Sequence, residues 1–167
     1  YRTDTRPTQL TGYLLYQALG SALDYYPYAK ENFTNTPLRY DCTGDLYARW
    51  SYDKVRPDVV TALLPLEDSR GYHVMRTAAD GTVTLTNTLY PLEETNGMDC
   101  ILGGSAARIT VTADGSAPRS LLILGDKNAL CVIPYLARHY SSITYVDVTQ
   151  CNEEMLAAAS GAEYDHT

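Results

Sequence analysis

The sequence predicts an α/β fold with an inserted antiparallel β portion, and two observations support this prediction. In the last third of the 167-residue chain, strand and helix patterns alternate at 121–125, 128–140, 143–148 and 153–160. This β-α-β-α order is typical of parallel strands joined by right-handed crossovers. The middle of the chain instead carries hairpin signals, the clearest being Asp80-Gly81 between two strand-like segments.

The first predicted element is a helix between Thr8 and Leu23. Four apolar residues recur there at helical spacing and form one face, namely Leu15, Ala18, Leu19 and Ala22. Thr8 is suited to cap this helix because its hydroxyl can accept a backbone hydrogen bond. Residues 24–43 contain two prolines and several Asn, Thr and Tyr residues, which predicts an irregular excursion with at most a short helix.

The middle of the chain is predicted to form strands. An apolar run at 59–66, interrupted by Pro65, indicates the first of them. The segment "YHVMRTAADGTVTLT" predicts a hairpin that turns at its Asp-Gly pair. In "ARITVTADG", Ile109 and Val111 alternate with threonines before a second Asp-Gly turn.

In the last third, polar residues mark where the helices begin. Asp126 is interpreted as the N-cap of the helix at 128–140, and Asn152 as the N-cap of the final helix. The sequence stops at "AEYDHT", where another strand is expected. We therefore interpret residues 1–167 as a single α/β domain that is a fragment of a longer protein, truncated at both ends.

Composition excludes some functional classes and leaves others open. The chain has 13 Lys and Arg against 20 Asp and Glu, a net charge of −7, which argues against a nucleic-acid-binding surface. No apolar run approaches the roughly 18 residues of a transmembrane helix. The four cysteines form no C-x-x-C pair, so we predict no metal site, and no disulfide pairing is assigned. The sequence "GDK" at 125–127 lacks the glycines of a P-loop, and no cofactor is predicted.

Three segments, of which the first and the last are more than a hundred residues apart, resemble the same family. "YRTDTRPTQLTGYLLYQAL" resembles the start of the bacterial DHHW proteins, in which Asp-His-His-Trp-Thr precedes a tyrosine-rich helix. "MDCILGGSAARITV" is similar to the Leu-Gly-Gly-Asn segment of the family. "SLLILGDKNALCVIPYLARHYSSITYVDV" is similar to its segment around Asp-Ser, which continues into a strand ending in Val-Asp. Related patterns occur in alginate O-acetyltransferase-type proteins of the SGNH hydrolase superfamily.

The resemblance implies an SGNH-hydrolase-like, flavodoxin-like three-layer fold and assigns site residues by position. It places the catalytic aspartate at Asp4, the histidine at Arg6 and the family tryptophan at Pro7. It places the asparagine of the glycine segment at Ser105 and the nucleophilic serine at Lys127. Only the aspartate is retained.

These replacements bear directly on catalysis. A serine nucleophile needs an adjacent base, and histidine suits that role because its pKa lies near 6.5. Arginine at position 6 has no lone pair to offer. Lysine at position 127 can attack only when deprotonated, whereas an ion pair with Asp4 would favour its ammonium form. Ser105 is predicted to donate a hydrogen bond to an oxyanion at most.

We therefore predict that Arg6 and Lys127 converge on Asp4 and that Lys127 pairs with it within the roughly 4 Å of an ion pair. Asp4 would neutralise one cation and leave the other free to bind a carboxylate or phosphate group. The alternative is that Lys127 extends into solvent from an exposed turn. Gly104 and Asp147 are further candidate ligand-binding residues. Their alternative roles are a positive φ at the glycine and stabilisation of a turn by the aspartate.

Other side chains carry weaker signals. His139 is interpreted mainly as a complement to a helix C-terminus, with a catalytic base as the alternative. Trp50, with Tyr47 and Tyr52, can form a platform for stacking sugars or can simply pack in the core.

The function predicted from these residues and from the resemblance is binding or scaffolding at the bacterial cell envelope by a protein with a degenerate active site. The expected partner is an anionic or O-acetylated glycan, and the extracellular or envelope location comes from the resemblance. The alternative is a working esterase or O-acetyltransferase acting on envelope carbohydrate, with a nucleophile at Ser105 or outside this chain. A purely structural domain is the third alternative.

Overall fold

The computed structural model describes residues 1–50, 54–92 and 98–167. The helices are α1 (Gln9–Leu19), α2 (Asp45–Trp50), α3 (Ile133–Leu136) and α4 (Glu153–Ser160), with 3-10 helices at Lys30–Asn32 and Lys127–Cys131. The strands are β1 (Phe33–Cys42), β2 (Asp58–Pro65), β3 (Tyr72–Thr77), β4 (Val83–Thr86), β5 (Arg108–Ala113), β6 (Ser120–Gly125) and β7 (Ser142–Asp147).

The strands form two sheets. β1 and β2 make an antiparallel ribbon, and the other strands form a mixed sheet in the order β4-β3-β5-β7-β6. β6 and β7 pair in parallel, whereas β3, β4 and β5 join the sheet in antiparallel fashion. The predicted α/β class with an antiparallel portion is confirmed. An isolated parallel bridge also joins Leu121 to His166, at the place where the sequence predicted a further strand.

Helices cover both faces of the sheet at its β6–β7 end. Successive residues of β6 point to opposite faces, so Leu121 packs in the large core with residues of α1 and α3. Its neighbour Leu122 packs on the other face with Val146 and Ala159 of α4. The carboxyl end of β6 leads directly into Asp126 and Lys127, which places these two residues at the edge of the sheet.

Most predicted boundaries agree with the structure. Thr8 accepts a hydrogen bond from the backbone N–H of Thr11, and Asn152 accepts one from Met155, so both predicted N-caps are confirmed. Asp126 caps the 3-10 helix by accepting from the N–H of Asn128 at 3.0 Å. The two Asp-Gly pairs also lie where they were predicted, the first between the paired strands β3 and β4 and the second directly after β5.

Two predictions of secondary structure were wrong. The excursion at 24–43 contains the ten-residue strand β1. Pro37 is tolerated there because β1 lies in a two-stranded ribbon whose register shifts just after it. The helix predicted at 128–140 is a 3-10 turn followed by the four-residue α3. Pro134 lacks the N–H that would bond to the carbonyl of Leu130, so one continuous helix cannot form.

Within residues 1–50, 54–92 and 98–167, no helix combines the length and the apolar character needed to cross a bilayer.

Candidate functional site

The N-terminal segment is fixed before it reaches the candidate site. Thr3 donates from its backbone N–H (2.8 Å) and from its hydroxyl (2.6 Å) to the Asp58 carboxylate at the start of β2. The next residue, Asp4, is 3% exposed. Gly44 lies directly against it, and a Cβ at Gly44 would overlap Asp4 Cβ and Oδ2. The segment therefore presents Asp4 in a buried position that only a glycine neighbour permits.

Arg6 binds Asp4 through two parallel hydrogen bonds. Nε donates to Oδ1 at 2.9 Å and Nη2 to Oδ2 at 2.8 Å, and the Arg6 backbone N–H also donates to Oδ1. The remaining Nη1 pairs with the carboxylate of Asp99 and donates to the carbonyl of Met98 at 3.1 Å. One guanidinium is thus shared by two carboxylates, a geometry for which the planar fork of arginine is suited.

Lys127 binds a different carboxylate, that of Asp45. The Nζ–Oδ2 distance is 2.7 Å, and the two side chains are about one-third exposed. Thr5 donates to the same carboxylate from its N–H and its hydroxyl. The backbone N–H of Asp45 in turn donates to Asp4 Oδ2 at 3.3 Å. The Lys127–Asp45 pair therefore adjoins the Asp4–Arg6–Asp99 group, and we call these five residues the charge cluster.

This arrangement corrects the predicted geometry. The ion-pair partner of Lys127 is Asp45 and not Asp4, because Asp4 is already occupied by Arg6. The charge cluster contains two cations and three carboxylates, a net charge of −1. The prediction that one cation stays free for an anion was therefore wrong. The alternative, in which Lys127 extends into solvent, agrees with the structure only in that the side chain is partly exposed, since Asp45 holds its ammonium group.

The cluster stabilises its own charges. Burial disfavours the ionised form of Asp4, but the hydrogen bonds from Arg6 outweigh it and lower the pKa of this carboxyl. The hydrogen bond from Lys127 is the main cause that lowers the pKa of Asp45 far below its usual value. Burial likewise acts against the Arg6 guanidinium, while Asp4 and Asp99 raise the pKa of Arg6. The lowered pKa of Asp4 and Asp45 and the raised pKa of Arg6 keep these three groups ionised at neutral pH.

A small cavity lies beside the cluster. Its volume is about 20 Å³, enough for a single water molecule. Arg6, Gly104 and Lys127 line it, together with Tyr1, whose buried hydroxyl has no hydrogen-bond partner. Three of the predicted site residues thus meet at one place, although the space among them is too small for a sugar.

Gly104 has a structural reason to be glycine. Leu102, Gly103 and Gly104 all have positive φ, at +53°, +75° and +84°. A Cβ on Gly104 would also come within 2.7 Å of the Asp99 carboxyl carbon. The glycine therefore lets the chain turn back against Asp99, which is what positions this carboxylate for Arg6.

Ser105 and Asp147 form a separate hydrogen-bonded group. The Ser105 hydroxyl donates to Asp147 Oδ2 at 3.0 Å and accepts from Gln150 at 2.6 Å. Thr149 donates to the other Asp147 oxygen from its N–H and its hydroxyl. Asp147 is fully buried and stabilises the turn after β7. Its turn-stabilising role agrees with the alternative interpretation from the sequence, and Ser105 is engaged as its donor.

Sequence reasoning missed Asp45 and Asp99. Asp99 lies inside the segment that carried the resemblance, and Asp45 follows a glycine at the start of α2. An acidic residue in the first turn of a helix is ordinarily a favourable partner of the helix dipole. Nothing local indicates that Asp45 faces a lysine 82 positions away.

His139 does not complement a helix C-terminus as a cation, and Trp50 does not pack in the core. His139 stacks on Tyr25 with a 4.4 Å centroid distance and contacts the Tyr16 hydroxyl at 2.7 Å. Burial and nearby arginines lower the pKa of His139 to about 4, so a neutral ring cannot complement a helix dipole as a cation. Trp50 is 73% exposed and is not packed in the core. Tyr52, the third member of the predicted platform, lies outside the described residues.

Among the residues that the structure describes, no group of three or more His, Cys, Asp and Glu side chains has the arrangement needed to hold a metal ion.

Comparison of whole folds gives clear similarities, whereas comparison with family profiles and with curated proteins gives none. No profile of a known protein family and no curated protein matches this chain by sequence. A DHHW family protein from Eubacterium siraeum DSM 15702 superposes with a TM-score of 0.72 over 96% of this chain, at 17% identity. This chain has the fold of a DHHW family protein.

The DHHW-type fold is also that of PatB1 from Bacillus cereus. PatB1 with a sulfonyl adduct gives a TM-score of 0.70 at 16% identity over 96% of this chain, and a second PatB1 structure gives 0.67 at 15% identity over 95%. The chain spans 55% of the length of the Eubacterium protein and 56% to 57% of PatB1. The superposition therefore concerns a little more than half of each neighbour.

Proposed function

We propose that this chain is a non-hydrolytic, carbohydrate-binding relative of the DHHW proteins that acts at the bacterial cell envelope. The observation that carries the proposal is the pairing of Arg6 with Asp4 and of Lys127 with Asp45. By the resemblance, these cations stand at the positions of the catalytic base and the nucleophile. Both are held in ion pairs, so neither is available for the attack on an ester.

The chemistry of each group supports the loss of hydrolysis. The raised pKa of Arg6 excludes it as a general base. The Lys127 ammonium donates to Asp45 and has no lone pair for attack. The Ser105 hydroxyl bonds to Asp147 and Gln150, and a carboxylate and an amide do not make the serine–histidine pair that activates such a nucleophile.

We further assign the SGNH-hydrolase type to this fold and a neutral, O-acetylated glycan to the site. The SGNH assignment rests on the resemblance and on the helices that cover both faces of the β6–β7 pair. The net charge of −1 in the cluster disfavours an anion there, whereas its exposed Lys127 and Asp45 groups can bond to sugar hydroxyls. The envelope location rests on the resemblance alone.

Trp50 supplies a surface on which a sugar ring can stack. It ends the helix α2 that Asp45 begins, so the backbones of the two residues are roughly 8 Å apart along the helix axis. An exposed indole combines a large apolar face with a polar N–H.

Calorimetric titration with O-acetylated and deacetylated xylo-oligosaccharides tests this function. We expect saturable binding that is stronger for the acetylated form and that falls about tenfold in Trp50→Ala and in Lys127→Ala. Leu85→Ala is the control because this exposed residue lies on β4, at the far side of the sheet from β6. Absence of binding, or equal loss in the control, would contradict the proposal.

A catalytic function is the second candidate, and the sulfonyl adduct of PatB1 favours it. A sulfonyl group attaches to a reactive nucleophile, and this chain shares the fold of that protein. Incubation with a sulfonyl fluoride, followed by mass spectrometry, distinguishes the two candidates. A stoichiometric adduct together with turnover of an acetyl ester, both abolished by one substitution such as Ser105→Ala, would establish the esterase or O-acetyltransferase.

A further inference from the structure

We propose that a second cleft, at the opposite end of β6, binds a sugar unit that carries a carboxylate. The cleft has a volume of about 550 Å³, within the range of small-molecule sites. Its lining includes Tyr25, Tyr26 and Tyr28 together with Arg119, Arg138 and His139. The inference goes beyond the proposed function because it assigns a ligand class to residues that take no part in the charge cluster.

The position of the cleft separates it from the charge cluster. Arg119 immediately precedes β6, and Lys127 follows it by two residues. Eight residues of extended chain span roughly 25 Å, so the two sites lie at opposite ends of β6. One glycan chain of several units can bridge them, but no single sugar can contact both.

Tyr26 provides the apolar contact. Its side chain is 96% exposed, whereas Tyr25 is 8% exposed and stacks on His139 and Tyr16. The Arg138 guanidinium covers the ring of Tyr28 at 4.5 Å. Tyr26 is therefore the ring in the cleft whose faces are open, and an aromatic ring with a polar hydroxyl suits the mixed surface of a sugar.

Arg119 provides the charge. Its guanidinium donates to the backbone carbonyls of Asp24 (2.9 Å) and Leu23 (2.8 Å), and it contacts the His166 ring. In the described part of the chain, no carboxylate forms an ion pair with it. Carbonyl oxygens orient the planar fork without neutralising it, so its charge remains for an anionic ligand.

The other charged groups do not cancel this cation. Arg138 pairs with Asp68 at 3.1 Å, and its Nε is buried without a hydrogen-bond partner. His139 is neutral at physiological pH because of burial and of the neighbouring arginines. Asp24 is the acidic residue of the lining, against two arginines. Two arginines and one aspartate give the lining residues of the cleft a net charge of +1, against −1 for the charge cluster.

Titration of the protein with tri-galacturonic acid and with its methyl ester tests the inference. We expect the acid to bind about tenfold more tightly than the ester at low salt, and the difference to shrink as salt is raised. Tyr26→Ala should weaken both ligands by about tenfold without changing thermal stability, since the ring is exposed. Arg119→Gln, which removes the charge but keeps a polar side chain that can donate hydrogen bonds, should lose most of the preference for the acid.

Two results would overturn the inference. One is equal affinity for the acid and the ester, or no saturable binding of either. The other is loss of binding in Lys127→Ala with no change in Tyr26→Ala, which would place the ligand at the charge cluster. The proposed function is tested separately by the neutral acetylated oligosaccharides and by Trp50→Ala, so either proposal can fail while the other stands.

Discussion

Arg6 donates two parallel hydrogen bonds, of 2.9 and 2.8 Å, to the carboxylate of Asp4, although only one residue lies between Arg6 and Asp4 in the chain. The Asp4 side chain is fully buried and the Arg6 side chain is 20% exposed. A buried carboxylate of this kind depends on its partner, because ionisation without compensation costs several kcal/mol. Under the proposed function, this pair stands where a catalytic aspartate–histidine contact is expected.

Removal of Arg6 should be strongly destabilising. Arg6→Ala leaves Asp4 buried without its cation, and we expect the free energy of unfolding to fall by about 3–5 kcal/mol. Urea denaturation at pH 7 measures this change. Lys127→Ala is the matched control: its pair with Asp45 is about one-third exposed, so it should cost at most about 1 kcal/mol. A similar decrease in the free energy of unfolding in both variants would show that the buried pair contributes no more to stability than the exposed one.

Gly44 should tolerate no side chain. In Gly44→Ala the new Cβ overlaps Asp4, and we expect a loss of about 2 kcal/mol or more, since the buried carboxylate cannot move without breaking its bonds to Arg6. Gly81→Ala is the control, because Gly81 has φ +87° but open space around it. There the backbone strain alone should cost about 1 kcal/mol. Thermal denaturation of both variants decides whether close approach or backbone strain dominates.

His139 should make the fold sensitive to mild acid. Its pKa is lowered from 6.5 to about 4, so between these values the unfolded chain binds a proton that the folded chain does not. Acidification through this window therefore favours unfolding, by about 2 kcal/mol after allowance for partial exposure. The carboxylates of Asp4, Asp45 and Asp147 have lowered pKa values and lose their contributions only below 3.8.

The His139→Phe variant isolates this effect. It keeps an aromatic ring on Tyr25 but has no titrating group, and it should cost about 1 kcal/mol because the Tyr16 hydroxyl loses a hydrogen-bond partner. Denaturation curves from pH 7 to 4.5 should show a smaller slope of stability against pH than in the wild type. An unchanged slope would assign the acid sensitivity to another group.

Restoring the family residues should restore a reactive nucleophile. In the double variant Arg6→His and Lys127→Ser, Asp4 can orient the introduced imidazole, and both positions line the same cavity. We expect a sulfonyl fluoride to label position 127 of the double variant, and we expect no label on the wild type or on Lys127→Ser alone, because a serine needs its base. Peptide mapping by mass spectrometry locates the adduct. A folded but unlabelled double variant would contradict the positional assignment.

Local sequence patterns indicated much of the fold, and their failures have physical causes. The caps at Thr8 and Asn152 depend on hydrogen bonds to residues three positions away, so the sequence reveals them directly. β1 was missed because its stability comes from pairing with β2 rather than from an alternating pattern of its own. The predicted helix at 128–140 failed at Pro134, where apolar spacing concealed the missing N–H.

The sequence alone determined the class of fold, the caps and the turns. The tertiary structure decided which charges meet. Arg6 pairs with Asp99, 93 positions away, and Lys127 pairs with Asp45, 82 positions away. These pairs form because the start of the chain, the beginning of α2 and the carboxyl end of β6 converge. Ion pairs between distant segments depend on chain topology, which a local pattern does not contain.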